Sequence, residues 1–533
     1  MSDAIQIYDS TLRDGAQAEG IAYSLEDKLL IARRLDELGV HYIEGGWPNP
    51  TNPKDLAFFQ EVVKLDLNAR VTAFGSTRRP QRRPEEDEIL ATLLKAGTRS
   101  IALFGKSWTL HVEEVLRTTL PQNLEMIEDS VAFLVENGRE VVYDAEHFFD
   151  GYKADSAYAI ETLLAAQRGG AQILVLCDTN GGVLPGELSR IVESTRGKIQ
   201  LPFGIHAHND SGVGVANSIL AVELGAVQVQ GTFNGYGERC GNANLCSIIP
   251  SLELKLNKCT IGREKLAQLM GFSRFLSEVA NVAHDHRQAY VGESAFAHKG
   301  GAHVDGVMKV AHSFEHVEPE CIGNERRFLV SDQSGGGTMV SKLSRFCPGI
   351  DKKDPLVGQV LDQVKQKEHQ GYQYEAAEGS FELLARRAMG TYEDLFKLLD
   401  FRTIIRKSGQ AAEEAAEAIV KVEIDGRIYH TVAEGDGPVN ALDRALRKAL
   451  EQVFPSIRQV HLEDYKVRVL SSSDGTAAQV RVLIESADGR DVWGTVGVSE
   501  NIIEASWIAL ADSLHFKLMK DAVQVVEAQE EVI

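Results

Sequence analysis

Residues 172–181, QILVLCDTNG, and residues 202–210, PFGIHAHND, each run from a short apolar strand pattern into polar side chains. Helical patterns between such segments end at glycine, as in 25–39 and 156–170, which is typical of helix C-termini. Strands that alternate with helices pair in parallel, and eight repeats within about 240 residues predict an α/β fold with a closed (β/α)8 TIM barrel. The six other segments are IQIYDSTL (5–12), HYIEGGWP (41–48), ARVTAFGS (69–76), SIALFGKS (100–107), EVVYDAEHF (140–148) and VQVQGTFNGYGE (227–238).

Polar and titratable side chains concentrate at the C-terminal ends of these strands. They lie at 9–14, at Glu44, at Glu146, at 178–180, at 206–210 and at 234–242. The C-terminal rim of such a barrel carries the active site, so we expect an enzyme whose site lies there. The simpler alternative for any single segment is that the strand ends in a loop and that loops are polar.

The most specific local pattern is His206-Ala207-His208. Residues i and i+2 of a strand face the same side, so both imidazoles can point at one divalent ion. Asp14 at the first strand end, and Glu238 and Asn242 at the last, could supply oxygen ligands. Arg13 beside Asp14 would stabilise a substrate oxygen that becomes negative, unless the two form an ion pair that closes the barrel mouth.

The composition excludes several classes of function. The chain has 533 residues, a length that favours two or three domains. Its formal net charge of −21 disfavours binding to nucleic acid or to an anionic membrane surface. The first twenty residues lack a signal-peptide pattern, and no apolar run is long enough to span a bilayer. Six cysteines without a CxxC pair indicate reduced thiols, so a cytoplasmic location is expected.

Five motifs resemble one enzyme family: DSTLRDGAQ (9–17), LCDTNG (176–181), IHAHND (205–210), GYGERCGNAN (235–244) and KGGAHVDG (299–306). They are similar to the signatures of the metal-dependent 2-isopropylmalate, homocitrate and citramalate synthases. The stretches 142–155 and 324–335 most resemble the citramalate-forming branch. The resemblance implies a Claisen condensation of acetyl-CoA with pyruvate, followed by thioester hydrolysis, in isoleucine biosynthesis. The alternative is a 2-isopropylmalate synthase, which would use 2-ketoisovalerate for leucine.

The resemblance also implies roles for individual residues. A divalent ion, Mn, Mg or Zn, would be bound by Asp14, His206, His208 and Asn242. Arg13 would hold the keto oxygen, Thr179 the carboxylate, and Glu146 would take part in proton transfer. His303, with Asp305, matches a histidine that a second small domain contributes to the site. Where related sequences carry a tyrosine, this chain has Phe314, so no unique base is assigned.

Four aromatic residues near strand ends are candidate walls of the substrate pocket, although each could equally belong to the core. A pyruvate enzyme must exclude larger keto acids by bulk, because each methylene is worth only about 1–3 kcal/mol in an apolar pocket. A homocitrate synthase would need a cation for a second carboxylate, for which Lys106 or His147 is available by position. The candidate walls are Trp47, Phe74, Phe104 and Tyr143, the last also a candidate substrate-binding residue.

The remaining chain predicts two further domains. We expect the catalytic barrel at 1–275, a helical linker or lid at 276–410 with helical patterns at 262–288 and 355–400, and a regulatory domain at 411–533. The stretch 408–418 is small and charged and is typical of a linker. Two similar strand-and-helix halves after it predict an internally duplicated α+β module.

Residues 434–446 and 497–514 resemble the regulatory domain of the same family, which binds an end-product amino acid at a dimer interface. The resemblance implies a homodimer and isoleucine as effector. Two other hypotheses stay open at this point: a lyase on the same barrel, and an amino-acid-sensing protein whose barrel has lost activity.

Overall fold

The computed structural model describes residues 4–49, 52–406, 415–470 and 478–530. The chain forms two compact units, which are described separately. The barrel unit comprises Met1–Phe296 and His316–Arg326, and the C-terminal unit comprises Ala297–Glu315 and Arg327–Ile533. Within the described ranges, no helix has both the length and the apolar character needed to cross a membrane.

Eight parallel strands close into a barrel in the order of the sequence, as predicted. The barrel closes where Gln6 of the first strand pairs with Gln228 of the last. Each strand is shorter than its predicted segment, and in all strands but β3 the last residues of the segment lie beyond the end of the strand. The strands are β1 (Gln6–Asp9), β2 (Tyr42–Gly46), β3 (Arg70–Ser76), β4 (Ser100–Lys106), β5 (Glu140–Glu146), β6 (Ile173–Asp178), β7 (Phe203–Ala207) and β8 (Gln228–Gly231).

Helices cover the outside of the barrel, and their ends follow ordinary capping chemistry. The first begins at a capping box between Ser24 and Asp27 and ends at Gly39, whose φ of 94° favours glycine. The helices are α1 (Leu25–Leu38), α2 (Pro53–Val62), α3 (Glu88–Lys95), α4 (Leu120–Glu136), α5 (Phe148–Ala154), α6 (Ser156–Gly169), α7 (Pro185–Arg196), α8 (Gly214–Glu223), α9 (Leu245–Leu254), α10 (Arg263–Leu266) and α11 (Leu269–Val279). The two helices predicted at 25–39 and 156–170 are therefore confirmed.

The alternation of side chains along the strands divides the apolar residues into two layers. On β5, Val141 and Tyr143 pack in the layer between strands and helices. Val142 points the other way and packs inside the barrel with Tyr8 and Tyr42. The interior is therefore filled with side chains.

The C-terminal unit begins with short strands and helices. The strands β9 (Ala297–His298) and β10 (Arg327–Phe328) pair in parallel. The helices are α12 (Gly301–Lys309), α13 (Gly336–Leu343), α14 (Pro355–His369) and α15 (Glu378–Met389). The helical pattern predicted over 355–400 fails at its end, because residues from Lys397 onward pair with a neighbouring strand.

Two three-stranded antiparallel sheets follow, each leading into a helix, which confirms the predicted duplication. The first half is β11 (Lys397–Arg406), β12 (Ala415–Ile424), β13 (Arg427–Gly435) and α16 (Pro438–Leu450). The second half is β14 (His461–Val469), β15 (Val480–Ala487), β16 (Val492–Ser499) and α17 (Ile502–Glu530). Residues 408–414 of the predicted linker lie outside the described residues, and residues 415–418 belong to β12.

The predicted middle domain at 276–410 is divided between the two units. Residues 276–296 stay with the barrel unit. Apolar residues of α13, α14 and α15 form one cluster that also includes Val496 and Val498 of β16. The boundaries expected at 275 and 410 therefore differ from the two compact units of the structure.

Candidate active site and metal centre

Three side chains at the rim of the barrel converge on one point. The Nε2 atom of His206 lies 3.5 Å from Oδ2 of Asp14, and Nε2 of His208 lies 3.8 Å from the same oxygen. All three residues are buried, and one ligand atom of each lies within 4.8 Å of the others. The chain thus brings together the two histidines of β7 and its extension with a carboxylate that follows β1.

The electrostatics of this triad give it the protonation states of metal ligands. Burial opposes the charge of Asp14, but Arg13 and the two histidines hold the pKa of its carboxyl at about 2. Burial lowers the pKa of His206, and burial together with His206 lowers that of His208 to about 4. At neutral pH the site therefore offers one carboxylate and two neutral imidazoles, as a divalent ion requires.

Two buried oxygen atoms, one in the triad and one in the neighbouring Asn242, strengthen this interpretation. Asn242 is paired with His208 through a backbone bridge, and its Nδ2 donates to the carbonyl of Tyr236 at 3.3 Å. The Oδ1 atoms of Asn242 and Asp14 are buried and have no hydrogen-bond partner among the described residues. Buried polar atoms without partners are costly unless something binds them. The residues present therefore fit a divalent ion.

Arg13 is fixed beside the triad by two carboxylates. Its Nε donates to Glu44 at 2.6 Å and its Nη1 donates to Asp14 at 3.1 Å. The guanidinium also lies 3.8 Å from the ring centroid of Phe74. The Arg13–Asp14 pair is predictable from adjacent residues, whereas the second pair, with Glu44, joins positions 31 residues apart that no local pattern links.

These groups line a cavity of about 200 Å³ at the rim. One wall is aromatic: the rings of Phe74 and Phe104 stack at 5.1 Å, and Trp47 meets both edge-on at 5.8 and 5.5 Å. Three of the four predicted wall residues therefore lie together. The polar lining of the cavity includes Arg13, Asp14 and Thr179.

Tyr143 is not part of this wall, and its prediction as a wall and substrate-binding residue is wrong. It belongs to the outer layer, where a Cβ added at Gly105 would lie 2.6 Å from its hydroxyl. The next residue, Asp144, faces the cavity and is 4% exposed. Burial and the nearby Glu44 raise the pKa of Asp144 to about 8. The two-residue period back from Glu146 could have identified Asp144 in the sequence.

Glu146 and Thr179 both line the cavity, and each interacts with a neighbouring residue. Glu146 forms an ion pair with the ammonium group of Lys106. The hydroxyl of Thr179 accepts from the backbone N–H of His147 at 2.9 Å. The ring of His147 lies 3.3 Å from Asp150. Both groups suggested for a second substrate carboxylate, Lys106 and His147, are thus engaged with carboxylates of the chain.

His303 and Asp305 lie on α12 of the C-terminal unit, and their catalytic roles stay a prediction. The imidazole of His303 stacks on the ring of Phe314 with centroids 4.4 Å apart. Asp305 pairs with Lys309 at 2.6 Å and with Lys352 at 2.8 Å. Phe314, which replaces the expected tyrosine, is therefore the stacking partner of the candidate histidine.

Comparison with known proteins places these features in one family. The HMGL-like family model matches residues 4–272, a homocitrate synthase post-HMGL domain-like model matches 290–371, and a LeuA allosteric (dimerisation) domain model matches 375–518. The chain is 53% identical to the (R)-citramalate synthase of Geobacter sulfurreducens, covering 97% of this chain and 98% of that protein.

Two further relatives show that the sequence identity is higher to a citramalate synthase than to a 2-isopropylmalate synthase. The (R)-citramalate synthase of Aquifex aeolicus is 52% identical, covering 98% of this chain and 99% of that protein. A probable 2-isopropylmalate synthase of Methanopyrus kandleri is 30% identical, covering 95% and 97%. Because the barrel, the intervening segment and the allosteric module all match in order, this chain belongs to the (R)-citramalate synthase family of HMGL-like enzymes.

Proposed function

We propose that this chain condenses acetyl-CoA with pyruvate and hydrolyses the thioester to release citramalate and CoA. The observation that carries the proposal is the rim cavity, which is lined by Arg13, by an aromatic wall and by the Asp14 triad. The Asp14 triad consists of Asp14, His206 and His208. Membership of the family supports the reaction class, and the relatives named for this reaction share more than half of their residues with this chain.

Arg13 and Thr179 are proposed to hold the keto acid. A divalent ion held by Asp14, His206, His208 and Asn242 would polarise the keto carbonyl as a Lewis acid. The guanidinium of Arg13, fixed by Glu44, would donate to the keto oxygen as negative charge develops there. Because the hydroxyl of Thr179 accepts from His147, its own proton is available for the carboxylate of the substrate.

Glu146 is proposed to take part in proton transfer at the cavity. Catalytic roles are also proposed for His303 and Asp305. Glu146 lies in the cavity lining with its carboxylate paired to Lys106. The ammonium group of Lys106 would compensate the negative charge of the Glu146 carboxylate while that carboxylate gains or loses a proton. General acid–base help of this kind contributes roughly 10²–10⁴ in rate, so the binding groups must supply the remainder.

The aromatic wall supports pyruvate as the keto acid. Trp47, Phe74 and Phe104 contact one another and leave little freedom for any one ring to move. 2-Ketoisovalerate is larger than pyruvate by two methyl groups, and forcing extra methyl groups against a packed wall costs roughly 1–3 kcal/mol. The wall therefore favours the smaller acid by exclusion.

We also propose that the C-terminal module binds isoleucine and pairs two copies of the chain. Support comes from the match of residues 375–518 to the LeuA allosteric (dimerisation) domain model. Calorimetry on the full chain with isoleucine, leucine and lysine tests the ligand, and sedimentation tests the dimer. Equal binding of the three amino acids, or a monomer throughout, would overturn the respective claim.

The test of the main proposal is a keto-acid panel. Purified protein with Mn²⁺ is given acetyl-CoA and pyruvate, 2-ketoisovalerate or 2-ketoglutarate, and release of the free CoA thiol is followed. We expect the highest kcat/KM with pyruvate. A preference for 2-ketoisovalerate would instead identify a 2-isopropylmalate synthase, and no turnover with any acid would favour a sensor with an inactive barrel.

A further inference from the structure

Gln230 lies behind one of the candidate metal ligands. It is completely buried on β8, directly opposite His206 of β7 in the strand register. Its Oε1 lies 3.0 Å from Nδ1 of His206. An amide oxygen can only accept a hydrogen bond, so Nδ1 of His206 carries the proton and donates it. The lone pair of this imidazole is then on Nε2, which faces Asp14 at 3.5 Å.

The orientation of the Gln230 amide is itself determined by a third residue. Its Nε2 donates to Oδ1 of Asp144 at 3.0 Å. With the amide oxygen toward Nδ1 of His206, the amide NH2 has the carboxyl oxygen of Asp144 as its acceptor, whether that carboxyl is neutral or charged. Asp144 belongs to β5, so the two hydrogen bonds connect β5, β8 and β7 through the interior of the barrel. All three side chains are at most 6% exposed, which shields the connection from water.

We propose that Gln230 and Asp144 are positioning residues that fix the tautomer and the ring plane of His206, so that Nε2 presents its lone pair to the divalent ion. The inference rests on the proposed function in that it takes the Asp14 triad as the metal site. His208 differs, because its Nδ1 is buried without a partner in the described part of the chain. Its backbone forms a bridge with that of Asn242.

The chain offers a matched control for this inference. Gln228 is also completely buried on β8, two residues from Gln230, and its Nε2 donates to Gln6 at 3.3 Å. Gln230→Met removes the acceptor behind His206 at nearly constant volume, and Gln228→Met removes an equally buried amide elsewhere. We expect Gln230→Met to weaken Mn²⁺ binding by about 10–100-fold, as loss of a ligand's hydrogen-bond partner does, and Gln228→Met to leave it unchanged. Titration calorimetry of the full metal-free chain with Mn²⁺ gives both dissociation constants.

A second pair of variants covers the case in which Gln230→Met does not fold. Asp144→Asn keeps an oxygen that accepts from Gln230, whereas Asp144→Leu does not. We expect Mn²⁺ affinity near that of the unaltered chain for the first and a loss of about 10-fold or more for the second. Spectra of 15N-histidine-labelled protein should show the His206 tautomer with a protonated Nδ1 in Asp144→Asn and a mixture of tautomers in Asp144→Leu.

The outcomes separate this inference from the proposed function. Equal Mn²⁺ affinity in Gln230→Met and Gln228→Met, or in the two Asp144 variants, would overturn the positioning role even if pyruvate is converted. A chain whose Mn²⁺ affinity depends on Gln230, but which releases no CoA with pyruvate, would overturn the proposed function and leave the positioning role in place.

Discussion

The Nε atom of Arg13 lies 2.6 Å from Oε2 of Glu44, a carboxylate with no exposed surface. Glu44 also accepts from the hydroxyl of Tyr8 at 2.7 Å, so its charge is compensated within the barrel. Burial opposes the charge of Arg13, but Glu44 and Asp14 raise the pKa of its guanidinium. Arg13 is therefore permanently charged and held in one direction by a residue that itself lies outside the cavity lining.

Glu44→Gln tests that role. The amide keeps the size of the side chain but removes the negative charge that competes with Asp14 for the guanidinium of Arg13. The guanidinium is then free to turn toward Asp14 and away from the keto oxygen. We expect kcat/KM for pyruvate to fall about 10²–10³-fold, which is typical for loss of a preorganised donor. Steady-state kinetics at saturating Mn²⁺ provide the measurement.

Glu140→Gln is the matched control for this substitution. Glu140 begins β5 and accepts from the hydroxyl of Tyr42 at 2.7 Å, with Arg70 at 3.5 Å, so it is a similar carboxylate at the opposite end of the strands. Its loss should leave kcat/KM within about threefold. Equal effects of the two substitutions would show that Glu44 acts only through the stability of the barrel.

Phe104→Ala should relax the selection of the keto acid. The ring stacks on Phe74 and meets Trp47, so its removal opens the wall without touching Arg13 directly. We expect kcat/KM for 2-ketoisovalerate relative to pyruvate to rise at least 10-fold, the ratio that about 1–3 kcal/mol provides.

Tyr143→Phe is the control for the wall, because Tyr143 lies in the outer layer. Its ratio of kcat/KM values for the two acids should equal that of the unaltered chain. A shift in the Tyr143→Phe ratio, with none in Phe104→Ala, would place the wall on the other face of the barrel strands.

The sequence was sufficient to predict the barrel, because each strand segment is a short apolar run that ends in polar residues and because helical patterns separate these segments. It was not sufficient for contacts between distant residues. The bond between Gln230 and Asp144 joins positions 86 residues apart, and no local pattern marks it. The same reason explains β11, whose segment continues a helical pattern but becomes a strand because Phe401 can pair with Val420. Tyr143 was misplaced by one residue, which on a strand reverses the direction of the side chain.

His208→Ala tests the metal centre directly. The substitution removes one of the imidazoles near Asp14, so we expect Mn²⁺ content after dialysis to fall at least 10-fold and keto-acid turnover to be lost. Elemental analysis and the CoA-release assay provide the two readouts. His41→Ala is the control, because His41 accepts from the backbone N–H of Ile7 at 3.1 Å before β2 begins. Unchanged metal content in His208→Ala would show that the triad is not the site.

His515 on α17 should make the stability of the chain depend on pH. Its ring is 6% exposed and stacks on Phe396 at 3.9 Å, and burial lowers its pKa from near 6.5 to about 4. Between these values the unfolded chain binds more protons at this histidine than the folded chain does. The contribution of His515 to the free energy of unfolding is therefore fully present above pH 6.5 and is lost as the pH falls toward 4. The expected loss at pH 5 is about 2 kcal/mol.

The measurement is the midpoint of thermal unfolding at pH 7 and pH 5 in the full chain, compared between variants. His515→Leu removes the titrating group, so the pH-dependent part of its midpoint shift should be smaller than in the unaltered chain. His430→Leu replaces an exposed histidine of β13 and should keep the full shift. Because both substitutions remove one imidazole, an equal reduction of the shift in both would mean that burial of His515 contributes nothing to the pH dependence.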